Sequence, residues 1–363
     1  MVTPANSPDH KPPEGPSQAD QDGFAAFERG DYRAAGNLWA ASAEAGSAWA
    51  QLGMGILHAD GLGLEADAER ARGYWEQAAA QGLSDASFNL GVMAEKANPA
   101  DTEAARHWYG HAAEAGHVVA QNNLAVLLQK AGDEAAATEA VQWWKRAAEH
   151  GDPDALNSLG VAHQQGSGCA RDRAAATEYY ARAAEAGHRD AAFNLALALE
   201  QGDGVATDMA GAAHWYRQAA EAGDPDAAAR LGNLCRDGNG TQEDLTAAAH
   251  WYRAAAEAGH PQAQANLGVL LERGLGVTQN ESAAAAWYLA SARQGLAPAQ
   301  YNMGIVLAEG RGVEADLPGA WVWFVRAADQ GHKPAAEARD YVHQQLTPEQ
   351  RSEAEARKTE SSR

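Results

Sequence analysis

His214-Trp215-Tyr216-Arg217-Gln218-Ala219-Ala220-Glu221-Ala222-Gly223 is answered 36 residues later by His250-Trp251-Tyr252-Arg253-Ala254-Ala255-Ala256-Glu257-Ala258-Gly259. Followed in both directions, the closing glycine falls at Gly46, Gly82, Gly116, Gly151, Gly187, Gly223, Gly259, Gly295 and Gly331, at intervals of 34 to 36 residues. Self-similarity at this period marks small supersecondary units, none able to bury its apolar side alone, stacked into a solenoid. The 363-residue length would otherwise suggest about two globular domains. A stack lengthens without enlarging one core, so the repeat replaces that expectation.

One unit, Asp224 to Gly259, serves as the pattern. Asp224-Pro225 opens its first helix, helix A: the carboxylate caps free N–H groups, and proline loses nothing at the first helical position. Asp152-Pro153 repeats the signal and His260-Pro261 keeps the proline. Ala263, Leu267, Leu270 and Leu271 then follow at helical spacing. A Gly-x-Gly turn ends helix A at Gly61/Gly63, Gly166/Gly168, Gly202/Gly204, Gly238/Gly240, Gly274/Gly276 and Gly310/Gly312. A capping residue starts the second helix, helix B: Asp67, Asp172, Asp208, Asp244, Asn280 or Asp316. The stripe expected to be buried on helix B is Ala247, Trp251, Ala254, Ala255 and Ala258. Small residues let the helices approach, and a large one fills the gap between units. That large position reads as Trp39, Trp75, Trp108, Trp143, Tyr179, Trp215, Trp251, Trp287 and Trp323. Burying a tryptophan removes roughly 200 Å² from water, of order 5 kcal/mol as an upper figure.

The expected organisation is a disordered segment over 1–22, a half-unit over 23–46, and repeats at 47–82, 83–116, 117–151, 152–187, 188–223, 224–259, 260–295 and 296–331. A capping helix follows over 332–346, then a short C-terminal helix and polar tail over 347–363. Thr347-Pro348-Glu349 reads as a cap and first turn, while Arg357 to Arg363 is too polar to be held. The units ending at Gly116 and Gly151 lack the Gly-x-Gly turn and use Asn98-Pro99-Ala100-Asp101 and Ala131-Gly132-Asp133-Glu134 instead, which predicts a local change in the curvature of the stack.

The net charge of −21 repels phosphate backbones, so nucleic acid is excluded as a partner and a basic protein surface is favoured. Cys169 and Cys235 lie two repeats apart, about 20 Å by helix packing distances, too far for a disulfide. Two free thiols imply a reducing compartment. The first residues show no charged-then-apolar leader, and no apolar run would span a bilayer, so a cytoplasmic protein that does not meet the membrane is expected, with a monomer assumed.

The unit resembles the Sel1-like repeat, a relative of the tetratricopeptide repeat. The resemblance rests on Asn266-Leu267-Gly268, Gly274-Leu275-Gly276-Val277, the capping Asp208, Trp215-Tyr216-Arg217-Gln218-Ala219-Ala220 and Gly223, and covers Gly46 to Gly331. Gly30-Asp31-Tyr32 in the first half-unit looks more like a tetratricopeptide turn. The resemblance implies an all-α fold, a right-handed α/α superhelical solenoid whose concave face is lined by helices A. It also implies an adaptor or scaffold function. A cysteine-rich branch of the family is linked to penicillin binding; the two cysteines here do not supply that branch's paired thiols, which argues against a hydrolase acting on β-lactam or cell-wall substrates.

His107 and His111 stand four apart, a zinc-compatible spacing, but His107, His214 and His250 share the slot before tryptophan, and His117, His188, His260 and His332 share the slot after the closing glycine. Slots used by many units are structural, so no metal is expected. Helices flank each Gly-x-Gly turn and a third glycine is missing, which excludes a dinucleotide loop. No nucleophile motif occurs, so neither catalytic residues nor a cofactor is expected. The strongest functional signal is the residue before Leu-Gly: Asn89, Asn123, Asn194, Asn266 and Asn302, with Ser158 and Arg230 as exceptions. The next residue faces helix B, which turns the amide toward the concave side, where it can donate to and accept from a peptide. In tetratricopeptide relatives the matching asparagine binds peptide. The alternative role is to fix repeat stacking. Repeat 6 departs from the pattern with Arg230, Asn233 and Asp237 on one helix face. The reading is a non-enzymatic adaptor that binds a peptide or partner helix through Asn89, Asn123, Asn194, Arg230, Asn233, Asn266 and Asn302; a structural spacer is the other non-catalytic possibility.

Overall fold

The computed structural model describes residues 15–360, and no strand occurs among them. The chain divides into two compact units, Met1–Tyr179 and Tyr180–Arg363. The first holds α1 (Gln18–Glu28), α2 (Tyr32–Glu44), α3 (Ala48–Asp60), α4 (Ala68–Ala80), α5 (Ser84–Lys96), α6 (Thr102–Glu114), α7 (Val118–Ala131), α8 (Glu134–Glu149) and α9 (Pro153–Gln165). α10 (Arg173–Glu185) contains the point of division. The second holds α11 (Arg189–Gln201), α12 (Met209–Glu221), α13 (Pro225–Asp237), α14 (Leu245–Glu257), α15 (Pro261–Arg273), α16 (Glu281–Arg293), α17 (Ala297–Glu309), α18 (Leu317–Asp329), α19 (Lys333–Gln345) and α20 (Pro348–Glu360). Inside each unit consecutive helices pack in chain order, most extensively as pairs within a repeat; α20 returns onto α18. This is the all-α stack of helix pairs that the period demands.

The local signals act as their chemistry requires. Asp152 and Asp224 cap α9 and α13, and Asp67, Asp208, Asp244, Asn280 and Asp316 cap α4, α12, α14, α16 and α18 through side-chain oxygens. Helix B ends in a Schellman arrangement: Gly259 N–H donates to Ala256 O and His260 N–H to Ala255 O, with Gly259 at φ +93°. In the Gly-x-Gly turn the second glycine has a further reason to be glycine. A Cβ on Gly276 would lie 2.3 Å from the Leu245 backbone, at the start of the preceding helix B.

The expected buried stripe of helix B is displaced by one residue. In α14 the buried residues are Ala248, Ala249, Tyr252, Ala255 and Ala256, while Ala247 and Trp251 are half-buried and Ala254 and Ala258 exposed. The fully enclosed aromatic stands seven residues before the closing glycine: Trp39, Trp75, Tyr109, Trp144, Tyr180, Tyr216, Tyr252, Tyr288 and Phe324. Trp39 and Trp75 were correctly expected to be the anchors. Trp108, Trp143, Tyr179, Trp215, Trp251, Trp287 and Trp323 occupy the preceding position and are only half-buried. A small residue of helix A receives the ring, glycine in most repeats and Ala125 and Ala196 in two. Cβ atoms on Gly55, Gly91, Gly232, Gly268 and Gly304 would lie 2.2 to 2.6 Å from atoms of Trp75, Tyr109, Tyr252, Tyr288 and Phe324, so each ring lies flush on bare backbone.

The ends also differ from expectation. Gln18–Asp22, expected to be disordered, are helical. Ser17 and Asp20 form a capping box, Asp20 O accepts from the Trp39 indole at 3.1 Å, and the Asp20 carboxylate accepts from Ser42 and Ser47 at 2.7 and 2.9 Å. Residues 1–14 and 361–363, expected to be disordered and too polar to be held, lie outside the described residues. Arg357–Glu360, expected to be loose, continue α20: the Arg357 guanidinium bonds Asp316 and Glu353, and Ala354 is buried.

Candidate interaction surface

The asparagine row belongs to helices A. Counted seven residues from each closing glycine it reads Gly53, Asn89, Asn123, Ser158, Asn194, Arg230, Asn266 and Asn302, and every member except buried Gly53 is half-buried. Gly53 is there because the Trp39 ring lies 2.6 Å from where its Cβ would be.

In the second unit, α11, α13 and α15 frame a groove of about 310 Å³ that brings Arg230, Asn233 and Asn266 together with Phe193, Asp226, Ala229, His260 and Gln262. Its amides form a directed chain. Gln262 Nε2 donates to Asn266 Oδ1 at 3.1 Å, and Asn266 Nδ2 donates to Asn233 Oδ1 at 3.3 Å. The same Asn233 oxygen accepts from Tyr252 OH at 2.7 Å. With that oxygen used twice, the Asn233 amide is oriented and its N–H donors remain for a visitor. Arg230 Nη1 reaches Glu200 Oε2 at 3.0 Å, with its guanidinium 5.9 Å from the Phe193 ring centre. The remaining sequence candidates are dispersed. Asn302 lines a separate groove of about 400 Å³ with Tyr301, Ile305, Glu272 and Arg311. Asn194 is on α11 but outside the lining of either groove, and Asn89 and Asn123 belong to the first unit.

Sequence reading missed why Asn233 is polar. Three tyrosine anchors donate to a glutamate near the end of helix A: Tyr109 to Glu95 at 2.8 Å, Tyr216 to Glu200 at 2.6 Å and Tyr288 to Glu272 at 3.1 Å. In α13 that position is Arg236, which turns to Asp237 at 2.7 Å and accepts nothing. Asn233, about one turn earlier, takes over as acceptor for Tyr252. The substitutions are linked, and the linkage could have been read from the glutamates thirteen residues after Gly82, Gly187 and Gly259. Burial first, and the glutamate second, push the Tyr109 and Tyr216 hydroxyls well above the usual phenol range. Burial likewise pushes Tyr252 up to about 12.

The histidines after the closing glycine are helix caps. Nδ1 of His117, His188 and His260 accepts the backbone N–H three residues on at 3.1 Å, and His332 does so at 3.2 Å. His107 and His111 are exposed, edge to face at 4.5 Å. Among the described residues no group of three or more His, Cys, Asp or Glu could hold a metal ion, and no helix is long and apolar enough to cross a membrane. Cys169 and Cys235 are free thiols, and burial raises both above the usual thiol range.

Comparison with known proteins agrees with this architecture. The Sel1 repeat model matches eight consecutive stretches, residues 50–83, 84–117, 118–152, 153–188, 189–224, 225–260, 261–296 and 297–332. Among solved structures the chain is similar to a protective antigen of uropathogenic Escherichia coli displaying an SLR fold, at 27% identity and a TM-score of 0.57, over 94% of this chain and 83% of that one. It is also similar to a Sel1 repeat protein from Oxalobacter formigenes, at 31% identity and a TM-score of 0.54, over 57% of this chain and 84% of that one. No curated protein matches the chain.

Proposed function

Since this chain belongs to the Sel1 repeat family, whose fold is typical of protein–protein interaction scaffolds, we propose that it is a non-enzymatic adaptor that takes up a peptide or partner helix on the face formed by its helices A. The observation that carries the reading is the groove over α11, α13 and α15. There, the amide N–H groups of Asn233 are oriented by an internal chain of hydrogen bonds and left unspent. Oriented donors beside the Phe193 ring suit peptide carbonyls next to an apolar side chain. Asn302, Asn194, Asn123 and Asn89 would extend the contact along the same row, each adding little. The net charge of −21 favours partners with a basic surface, and two free thiols support a cytoplasmic setting.

Asn233→Asp is the discriminating variant. It keeps an oxygen for Tyr252 and exchanges the amide donors for an acceptor, so the fold is retained while carbonyl recognition is lost. Capture of a partner identified by affinity purification with the wild-type chain should fall by about tenfold for Asn233→Asp and for Arg230→Ala. Capture by both variants at the wild-type level would remove this groove from consideration.

A further inference from the structure

In the first unit, α4, α5 and α6 enclose a third groove, of about 310 Å³. Leu90, Met93, Ala94 and Trp108 form its apolar floor, and Arg72, Glu76 and Asp101 stand among its lining. Two departures from the repeat open it. The first is at the twelfth residue after the closing glycine, which is His58, Leu128, His163, Leu199, Cys235, Leu271 or Leu307 in the other repeats and Ala94 in this one. That slot faces the half-buried aromatic of the following helix: His58 stacks on Tyr74 at 5.7 Å and His163 on Tyr179 at 5.4 Å. Ala94 leaves Trp108 without such a cover.

The second departure is the link between α5 and α6, which lacks the Gly-x-Gly turn. Elsewhere that turn closes over the start of the preceding helix B, Gly63 against Tyr32 and Arg33, Gly168 against Ala137. The next repeat lacks the turn as well, but α8 has 16 residues where α6 has 13, and Glu139 of α8 reaches Arg106 of α6 at 3.8 Å. α6 has no such extension.

We infer that this groove is a docking site for a partner segment that presents a leucine-like side chain beside a lysine or arginine. The other repeats identify the missing atoms: leucine fills this slot in four of them and histidine or cysteine in three, so the side chain over the aromatic is supplied in cis elsewhere, most often as leucine, and in trans at Ala94. The rim identifies the charge. Arg72 already faces Glu69 at 3.4 Å, while no cation pairs with Glu76 or Asp101 among the described residues. This site is independent of the asparagine row and stands or falls without it.

The test is selection of random linear peptides on the full-length chain, followed by binding measurements on the enriched sequences. These should carry leucine, isoleucine or methionine next to a basic residue. Ala94→Leu supplies the aliphatic chain from within; it should weaken those peptides by about tenfold while the melting temperature stays at or above wild type. Glu76→Lys, at an exposed position, should weaken them by about threefold or more. Peptides that bind Ala94→Leu and wild type alike, a selection with no aliphatic–basic pair, or no binders at all would each overturn the assignment. If Ala94→Leu fails to fold, Glu76→Lys decides: undiminished binding overturns the assignment.

Discussion

Gln121 shows how closely single residues are tied to their slot. Gln51, Gln121, Gln264 and Gln300 are all buried, and each donates to the preceding helix B, to the carbonyls of Ala43, Ala113, Ala256 and Ala292, at 3.1 to 3.2 Å. Three of them accept in return from a glutamine just before the next closing glycine: Gln81, Gln294 and Gln330, each at 2.8 Å. The matching residue for Gln121 is His150, and Gln121 Oε1 is buried without a hydrogen-bond partner. His150→Gln restores the donor, so it should stabilise the chain by about 1 kcal/mol, read as a rise in denaturant midpoint. An unchanged midpoint would show that the buried oxygen costs nothing. The same pairing logic was open to sequence reading at the tyrosine anchors and their glutamates. It was hidden at Asn233, where Arg236 in the glutamate slot changed two positions together.

At the scale of the element, α1 is held by one buried carboxylate. Burial works against ionisation of Asp20, but hydrogen bonds from Ser42, Ser17 and Ser47 outweigh it and hold the carboxyl below its ordinary range. A depressed carboxyl contributes stability that is present above the unfolded value and lost as pH falls through the folded one. Hydrogen exchange should therefore show α1 protected at neutral pH and released below about pH 4, ahead of the other helices. Release at neutral pH by Asp20→Ala, with the remaining repeats intact, would agree; no change in α1 protection for that variant would refute the role. Sequence reading placed Gln18–Asp22, the first part of α1, in a disordered segment because these residues have little to bury and their support comes from α2 and from Ser47, distant in the chain. At the other end, α20 is too polar to be read as held, yet Arg357 and Ala354 dock it on α18.

For the whole molecule, burial of the anchors governs the response to alkali. The hydroxyls of Tyr109, Tyr180, Tyr216 and Tyr288 are pushed well above the phenol range by burial, and Tyr252 up to about 12. A raised phenol contributes fully below its unfolded value of about 10, and the contribution is lost as pH rises through the folded one. The melting temperature should thus hold to about pH 10 and fall steeply beyond it. Replacing Tyr288 with Phe, the residue nature uses at Phe324, should soften the fall; an identical pH profile for that variant would count against this account. By itself the sequence determined the repeat, the helices, nearly all their caps and the membership of the asparagine row, because these depend on local backbone chemistry and a fixed period. Only the tertiary structure decided which of two adjacent aromatics is enclosed, which amides share a groove, and where a missing side chain opens another. Neighbouring positions on an apolar helix face differ by one step of rotation, and what separates them is the glycine or alanine that the opposing helix brings against each.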